Sequence, residues 1–189
     1  MAQNKMHDIE NMIAWFMEVD KNKDGNVDKK ELTDYYSKKG VPKDTVEKWM
    51  AKFDVDNDGK LTFNEFCRGL GVRVDEMRIE QKQREEQREG AAPAIDGDIE
   101  IVASTMNQVK IKEVTDKFKQ IANKHDMKDD QMREVAHEFK AYLDESYGRV
   151  WQCVVLAGSY WMHFSHEPFQ SIQFKYGKYI CLAWRTPQG

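Results

Sequence analysis

Cysteine is scarce: Cys67, Cys153 and Cys181 are the full set, widely spaced and without a CxxC pair. An odd, scattered set carries no disulfide framework, so the thiols are read as reduced and the setting as cytosolic. Long apolar runs are also missing. Stretches such as YICLAW are far too short to span a bilayer, and charged or polar residues interrupt the N-terminus where a signal peptide would need an apolar core. Neither a membrane span nor secretion is expected. The chain has no basic excess either, with 29 Lys and Arg against 33 Asp and Glu and a net charge of −4. Residues 1–75 carry 15 acids and 13 bases, residues 76–98 carry 7 and 4, and residues 99–189 carry 11 and 12. Phosphate-driven nucleic-acid binding therefore has no electrostatic basis. No nucleophile elbow, Gly-rich phosphate loop or catalytic constellation around the five histidines can be found, so an enzyme is not expected. His163 and His166, three apart, would point to opposite faces of a strand, which argues against a zinc shared with Cys153. What remains, 40% hydrophobic and 33% charged residues, is an ordinary globular composition.

Against this background one pattern occurs twice. DKNKDGNVDKKE, from Asp20 to Glu31, and DVDNDGKLTFNE, from Asp54 to Glu65, both crowd acids at alternate positions, place a glycine sixth and close with glutamate. Like charges at such spacing repel unless a cation sits among them. Both segments match the EF-hand pattern D-x-[DN]-x-[DN]-G-x5-E, and the chemistry explains each slot. Calcium takes about six to eight oxygen ligands, and a twelve-residue loop wraps round it to supply them. In the first loop Asp20, Asn22 and Asp24 offer side-chain oxygens and Asn26 its carbonyl; Asp28 acts directly or through water, and Glu31 closes the site with both oxygens. In the second the same roles fall to Asp54, Asp56, Asp58, Lys60 (by its carbonyl), Thr62 and Glu65. Gly25 and Gly59 permit the bend, and Val27 and Leu61 suit a short strand pairing the two loops. Two calcium ions are expected. Lysines at 21, 23, 29 and 30 weaken the field of the first loop, which favours the second as the tighter site.

Helical periodicity flanks both loops: Ile9, Met12, Ile13, Phe16 and Val19 before the first, Leu32, Tyr35 and Tyr36 after it, Val46, Trp49, Met50 and Phe53 before the second, Phe63, Phe66 and Leu70 after it. Gly40 and Pro42 stop one helix, and Asp44 or Thr45 caps the next. Met12, Met17 and Met50 suit either core filling or an adaptable groove that calcium opens to an amphipathic helix or to apolar ligands of the calmodulin-antagonist kind. VRVDEMRIEQKQREEQREG reads as a solvated helical extension, and AAPAIDGD as a flexible joint. From Ile99 the habits change. IEIVAS alternates like a strand, two helices follow at roughly 105–125 and 129–146, and WQCVVLA, YWMHFSH, SIQFKY and KYICLAW read as strands, the last two joined by a hairpin at Gly177-Lys178. The expected organisation is an all-α EF-hand pair over 1–75, a charged helical linker and joint over 76–98, and an α+β domain with an antiparallel sheet over 99–189.

That last domain, on the residues YGRVWQCVV, FSHE and SIQFKYGKYICLAW, resembles the short dynein light chains. An EF-hand pair joined to such a domain resembles the tegumental calcium-binding proteins of parasitic flatworms over almost the whole chain. The resemblance implies a calcium sensor or adaptor without catalysis, located in the cytoplasm, on the cytoskeleton or in the tegument. The alternatives are a calcium buffer whose helices barely open, or a structural adaptor dominated by its tail. In dynein light chains the strand before the His-Glu pair edges a dimer groove, where partner peptides add as an extra strand. The matching segment is Trp161, Met162, His163, Phe164, Ser165 and His166, with Trp161 and His163 standing where a glycine and a tyrosine are usual. A peptide or protein partner, the dynein complex or cytoskeleton, and a second copy of the chain are the partners this implies.

Overall fold

The computed structural model describes residues 2–38, 44–90 and 92–187. The expected stop at Gly40 and Pro42 lies outside the described residues. The chain divides into two compact units, one spanning His7–Lys82 and the other built on Gln83–Gly189.

In the first unit, α1 (Ala2–Val19) leads through β1 (Asn26–Asp28) into α2 (Lys29–Lys38); α3 (Asp44–Phe53) leads through β2 (Lys60–Thr62) into α4 (Phe63–Leu70). The periodic apolar residues do what their spacing implies: Ile13, Phe16, Val19, Leu32, Val46, Phe53, Phe63 and Phe66 are all buried. Phe66 sits among aromatic rings, stacked on Phe16 at 5.0 Å and Trp49 at 5.8 Å. α4 starts with a capping box, in which the Thr62 side chain accepts from Glu65 N and the Glu65 carboxylate answers at the Thr62 backbone. It ends at Gly71, whose φ of 73° supplies the left-handed turn that stops a helix. Then α5 (Val74–Glu89) begins. The division between the units falls within this helix.

In the second unit the last turns of α5 are fastened by polar side chains. Gln83 Oε1 accepts from Asn107 Nδ2 at 2.7 Å, and Asn107 is the buried N-cap of α6 (Gln108–Lys124). The Arg84 guanidinium lies 4.5 Å above the Phe169 ring. α6 and α7 (Met132–Tyr147), joined by a 3-10 turn at Asp129–Gln131, cover one face of a four-stranded antiparallel sheet. The strands are β3 (Ile99–Ser104), β4 (Trp151–Leu156), β5 (Ser171–Tyr176) and β6 (Tyr179–Arg185), in the order β3-β5-β6-β4. Phe118 centres the core, edge-on to Phe139 and Phe174 at 5.1 Å each. Of the thiols, Cys67 and Cys181 are buried, and Cys153 is half-buried beside Cys181.

One expected strand does not form. YWMHFSH, from Tyr160 to His166, has no strand pairing. A strand needs a neighbour to complete its ladder, and β5 and β6 already pair on both sides. Side chains hold the segment instead: Tyr160 Oη donates to Gln173 Oε1 at 3.0 Å, and Phe164 stacks on Trp184 at 4.5 Å. The sheet therefore has four strands rather than five.

Packing in the first unit has little slack at one glycine. A Cβ on Gly69 would stand 2.5 Å from Cδ1 of Phe53, a ring 1% exposed. Overpacking of this kind costs about 1–3 kcal/mol. Gly69→Val is expected to lower the unfolding free energy by about 2 kcal/mol, read by urea titration in chelator; an unchanged midpoint would refute the packing.

Candidate metal centre

Both loops begin where a helix closes its last turn: Asp20 N donates to Phe16 O at 3.0 Å, and Asp54 N to Met50 O at 2.9 Å. The chain then curls through two left-handed residues per loop, Lys23 (φ 58°) and Gly25 (φ 77°) in the first, Asn57 (φ 57°) and Gly59 (φ 82°) in the second. Glycine adopts this conformation without penalty, and asparagine more readily than lysine. The curl turns backbone N–H groups onto the first aspartate. Asp20 accepts from Asp24 N at 3.2 Å and Gly25 N at 3.0 Å; Asp54 accepts from Asp58 N at 3.2 Å and Gly59 N at 3.1 Å. One step on, Asp24 Oδ1 accepts from Asn26 N and Asp58 Oδ1 from Lys60 N, both at 2.8 Å. Loops of different sequence thus share one internal hydrogen-bond pattern.

The loops are joined back to back. β1 and β2 pair antiparallel in the register Asn26↔Thr62, Val27↔Leu61, Asp28↔Lys60. Val27 and Leu61 are both 0% exposed, and Phe63 N donates to Gly25 O at 2.9 Å.

In the second loop Asp54, Asp56 and Asp58 each present a carboxylate oxygen within 4.8 Å of the others. Oxygens bound to calcium at 2.3–2.6 Å lie at most about 5 Å apart, so the three fit one ion. Glu65 reaches across the loop: Oε1 accepts from Val55 N at 3.2 Å, Oε2 from Thr62 N at 3.0 Å and Thr62 Oγ1 at 2.7 Å. In the first loop Asn22 takes the place of an acid, with its Oδ1 accepting from Asp24 N at 3.1 Å. Glu31 accepts from Asp28 N at 3.1 Å, and Asp28 Oδ1 accepts from Glu31 N at 2.8 Å. All-oxygen donors, several of them ionised, suit a hard divalent cation such as calcium.

The two closing glutamates differ electrostatically. Burial, then the negative Asp28, Asp20 and Asp24, push the Glu31 carboxyl above its ordinary range. Burial and the neighbouring Asp24 push Asp20 up as well, against hydrogen bonds from Gly25, Asp24 and Lys23. Glu65 also meets burial, but hydrogen bonds from Thr62, Val55 and Asp56 outweigh it and hold this carboxyl low.

The residues expected to edge a partner groove differ in exposure. Trp161 is 93% exposed and Met162 38%; His163 is exposed, while Phe164, Ser165 and His166 are half-buried. His166 Nδ1 lies 2.8 Å from Glu167 O. Met12, Met17 and Met50 are half-buried on α1 and α3. Sequence reasoning missed two features. Trp15 contacts Tyr35, Tyr36, Trp49 and Phe66 at ring distances of 4.6–6.1 Å, with its buried Nε1 lacking a hydrogen-bond partner among the described residues. Trp15 directly precedes Phe16 within the apolar periodicity of α1, which is the signal that marks it. The other is Arg78 of α5, which donates to Asn64 Oδ1 at 2.9 Å beside the second loop; no motif marks it.

The EF-hand domain pair family matches residues 9–70, and the family described as dynein light chain type 1 matches residues 98–186. The chain is 45% identical over 186 residues to Tegument antigen of Schistosoma mansoni, covering 98% of each. It is 44% identical over 179 residues to Antigen Sm21.7 of the same organism, covering 95% of this chain and 97% of the relative. Among solved structures, the dynein light chain-like domain of Fasciola hepatica calcium binding protein FhCaBP2 is 61% identical, with a TM-score of 0.49, over 51% of this chain and all of its own.

A pH dependence follows from the glutamates. Raised carboxyl pKa values mean that the folded, metal-free first loop binds more protons than the unfolded chain, so its stability rises as pH falls towards those values, while protons compete there with the ion. Glu65, held low, stabilises the fold above the unfolded carboxyl value of 4.5 and loses that contribution only as pH falls through its lower folded value. Lowering pH towards the carboxylate range is expected to weaken the first loop's hold on a cation more than the second's. Calorimetry on Glu65→Gln, which keeps the first site, and Glu31→Gln, which keeps the second, reads the two separately; equal losses would contradict the assignment.

Proposed function

The chain belongs to the tegumental calcium-binding proteins of flatworms, an EF-hand pair joined to a dynein light chain-like domain, and from that premise we propose a non-catalytic calcium sensor and adaptor that binds two ions. The observation that carries this reading is the matched pair of acidic loops, hydrogen-bonded alike and joined through Val27 and Leu61. Asp20, Asn22, Asp24, Asn26, Asp28 and Glu31 hold one ion; Asp54, Asp56, Asp58, Lys60, Thr62 and Glu65 hold the other. Each ion supplies the positive charge that relieves carboxylate repulsion. The chain's own contribution is to hold the oxygens inward by backbone hydrogen bonds before the ion arrives. A sensor also needs an apolar surface to reveal. The half-buried aromatic cluster at Trp15, Tyr36 and Trp49, with Met12, Met17 and Met50 on the same helices, supports that role over a buffer.

Titration calorimetry on the full chain tests the reading. Two binding events are expected at micromolar to millimolar calcium, abolished in the Glu31→Gln, Glu65→Gln double variant, with a rise in apolar-dye fluorescence on loading. At about a hundred times the dissociation constant each ion adds roughly 2.7 kcal/mol of stability. No heat of binding would end the calcium reading; binding without a dye response would reduce the protein to a buffer.

The second unit is proposed to take a protein partner at the β4 edge, a peptide of the dynein or cytoskeletal machinery or a second copy. The two sheet edges differ: β3 carries a register shift between Ile101 and Ala103 and a charged Glu100, whereas β4 pairs with β6 in unbroken register and presents the exposed Val154. Bulges and charges protect an edge, and flat apolar strands invite pairing. No described helix is long and apolar enough to cross a membrane, and the proposed location is the cytoplasm of the tegument. Sedimentation of the wild type against Val154→Asp checks the edge: self-association or peptide binding is expected to weaken at least about ten-fold, and an unaltered profile would move the interface elsewhere.

A further inference from the structure

Arg78 lies outside both calcium-binding segments, yet the fold returns it to them. The chain turns at Gly71 (φ 73°) after α4, and α5 comes back beside the start of that helix. Nη2 of Arg78 donates to Asn64 Oδ1 at 2.9 Å, and Asn64 immediately precedes the closing Glu65. Arg78 and Gln81 line a cavity of about 250 Å³ shared with Asp24 and Asn26 of the first loop and Thr62 of the second. The hydrogen-bond acceptor of the exposed guanidinium is a neutral amide rather than a carboxylate; Asp75 and Glu76 line a second cavity with it, and its charge stands on the side of α5 that faces the first loop's Asp24 and Asn26.

We propose that Arg78 sets the calcium affinity of the pair. It is a fixed cation held next to sites that must admit a divalent cation. Its repulsion weakens binding relative to what two loops of four carboxylates each would give alone, and in the metal-free protein its charge relieves part of their mutual repulsion. The reading rests on the calcium function proposed above. For a unit charge and a divalent ion on the order of 10 Å apart in a water-like dielectric, Coulomb's law corresponds to roughly a four-fold change in binding without salt and less than about two-fold at about 0.1 M salt. Arginine suits the post because its charge persists at every physiological pH and its planar fork fixes the position through Asn64.

The experiment is competition against a chromophoric calcium chelator with the full-length protein, comparing wild type with Arg78→Lys, Arg78→Gln, Arg78→Met and Arg78→Glu at low and high salt. Melting in chelator reports whether each variant is folded. At low salt Arg78→Gln and Arg78→Met are expected to bind about three-fold more tightly and Arg78→Glu more tightly still, with Arg78→Lys close to wild type. The differences should shrink at about 1 M KCl, where the Debye length falls to roughly 3 Å. Unaltered affinity in the neutral and reversed-charge variants, or a shift in Arg78→Lys as large as in Arg78→Gln, would overturn the electrostatic role. Absence of calcium binding in the wild type would instead bring down the function on which the inference rests.

Discussion

Mutual repulsion among carboxylates is the constraint around which the first unit is organised. Four acids in each twelve-residue bend would drive the backbone apart in water. The fold answers with backbone N–H groups: the first aspartate of each loop accepts two of them and the fifth residue one more. These bonds hold the oxygens pointing inward and leave the remaining negative charge for a cation. The aromatic cluster beneath the loops, with Phe66 packed on Phe16 and Trp49, supplies the rigid floor from which the helices project.

The second unit solves a different problem. Its sheet is covered on one face by α6 and α7 and keeps two strand edges that must be protected, paired or charged. The β3 edge is interrupted by its register shift, and the segment that follows β4 leaves the sheet altogether. Tyr160 and Phe164 pin that segment to Gln173 and Trp184, and Trp161 is left almost wholly in solvent. A tryptophan so exposed between two anchors is hard to account for by folding alone.

Much of this was legible in the sequence because it depends on local chemistry. The spacing of acids and glycines gave the two acidic loops and the short strand pair between them, and helical periodicity gave the buried faces of α1, α3 and α4. Gly177-Lys178 gave the hairpin between β5 and β6. The misreading at Tyr160–His166 has a physical cause: aromatic and β-branched composition favours extended chain but does not create a ladder partner. Contacts set by chain return, such as Arg78 with Asn64, leave no periodic trace. Nor does the ability of Gln83 and Asn107 to join α5 to the cap of α6, since surface glutamines carry no pattern.

The two-residue apolar bridge of Val27 and Leu61 makes the ligand loops one mechanical object. Whatever an ion does to stiffen one strand of that ladder it does to the other, because each strand's hydrogen bonds are its neighbour's. Free energy linked in this way is reciprocal: in the proposed two-ion state, occupancy at one loop would ease the ordering required at the second by the amount the second returns to the first. On the two-ion reading proposed above, the pair would load over a narrower span of calcium concentration than two isolated bends.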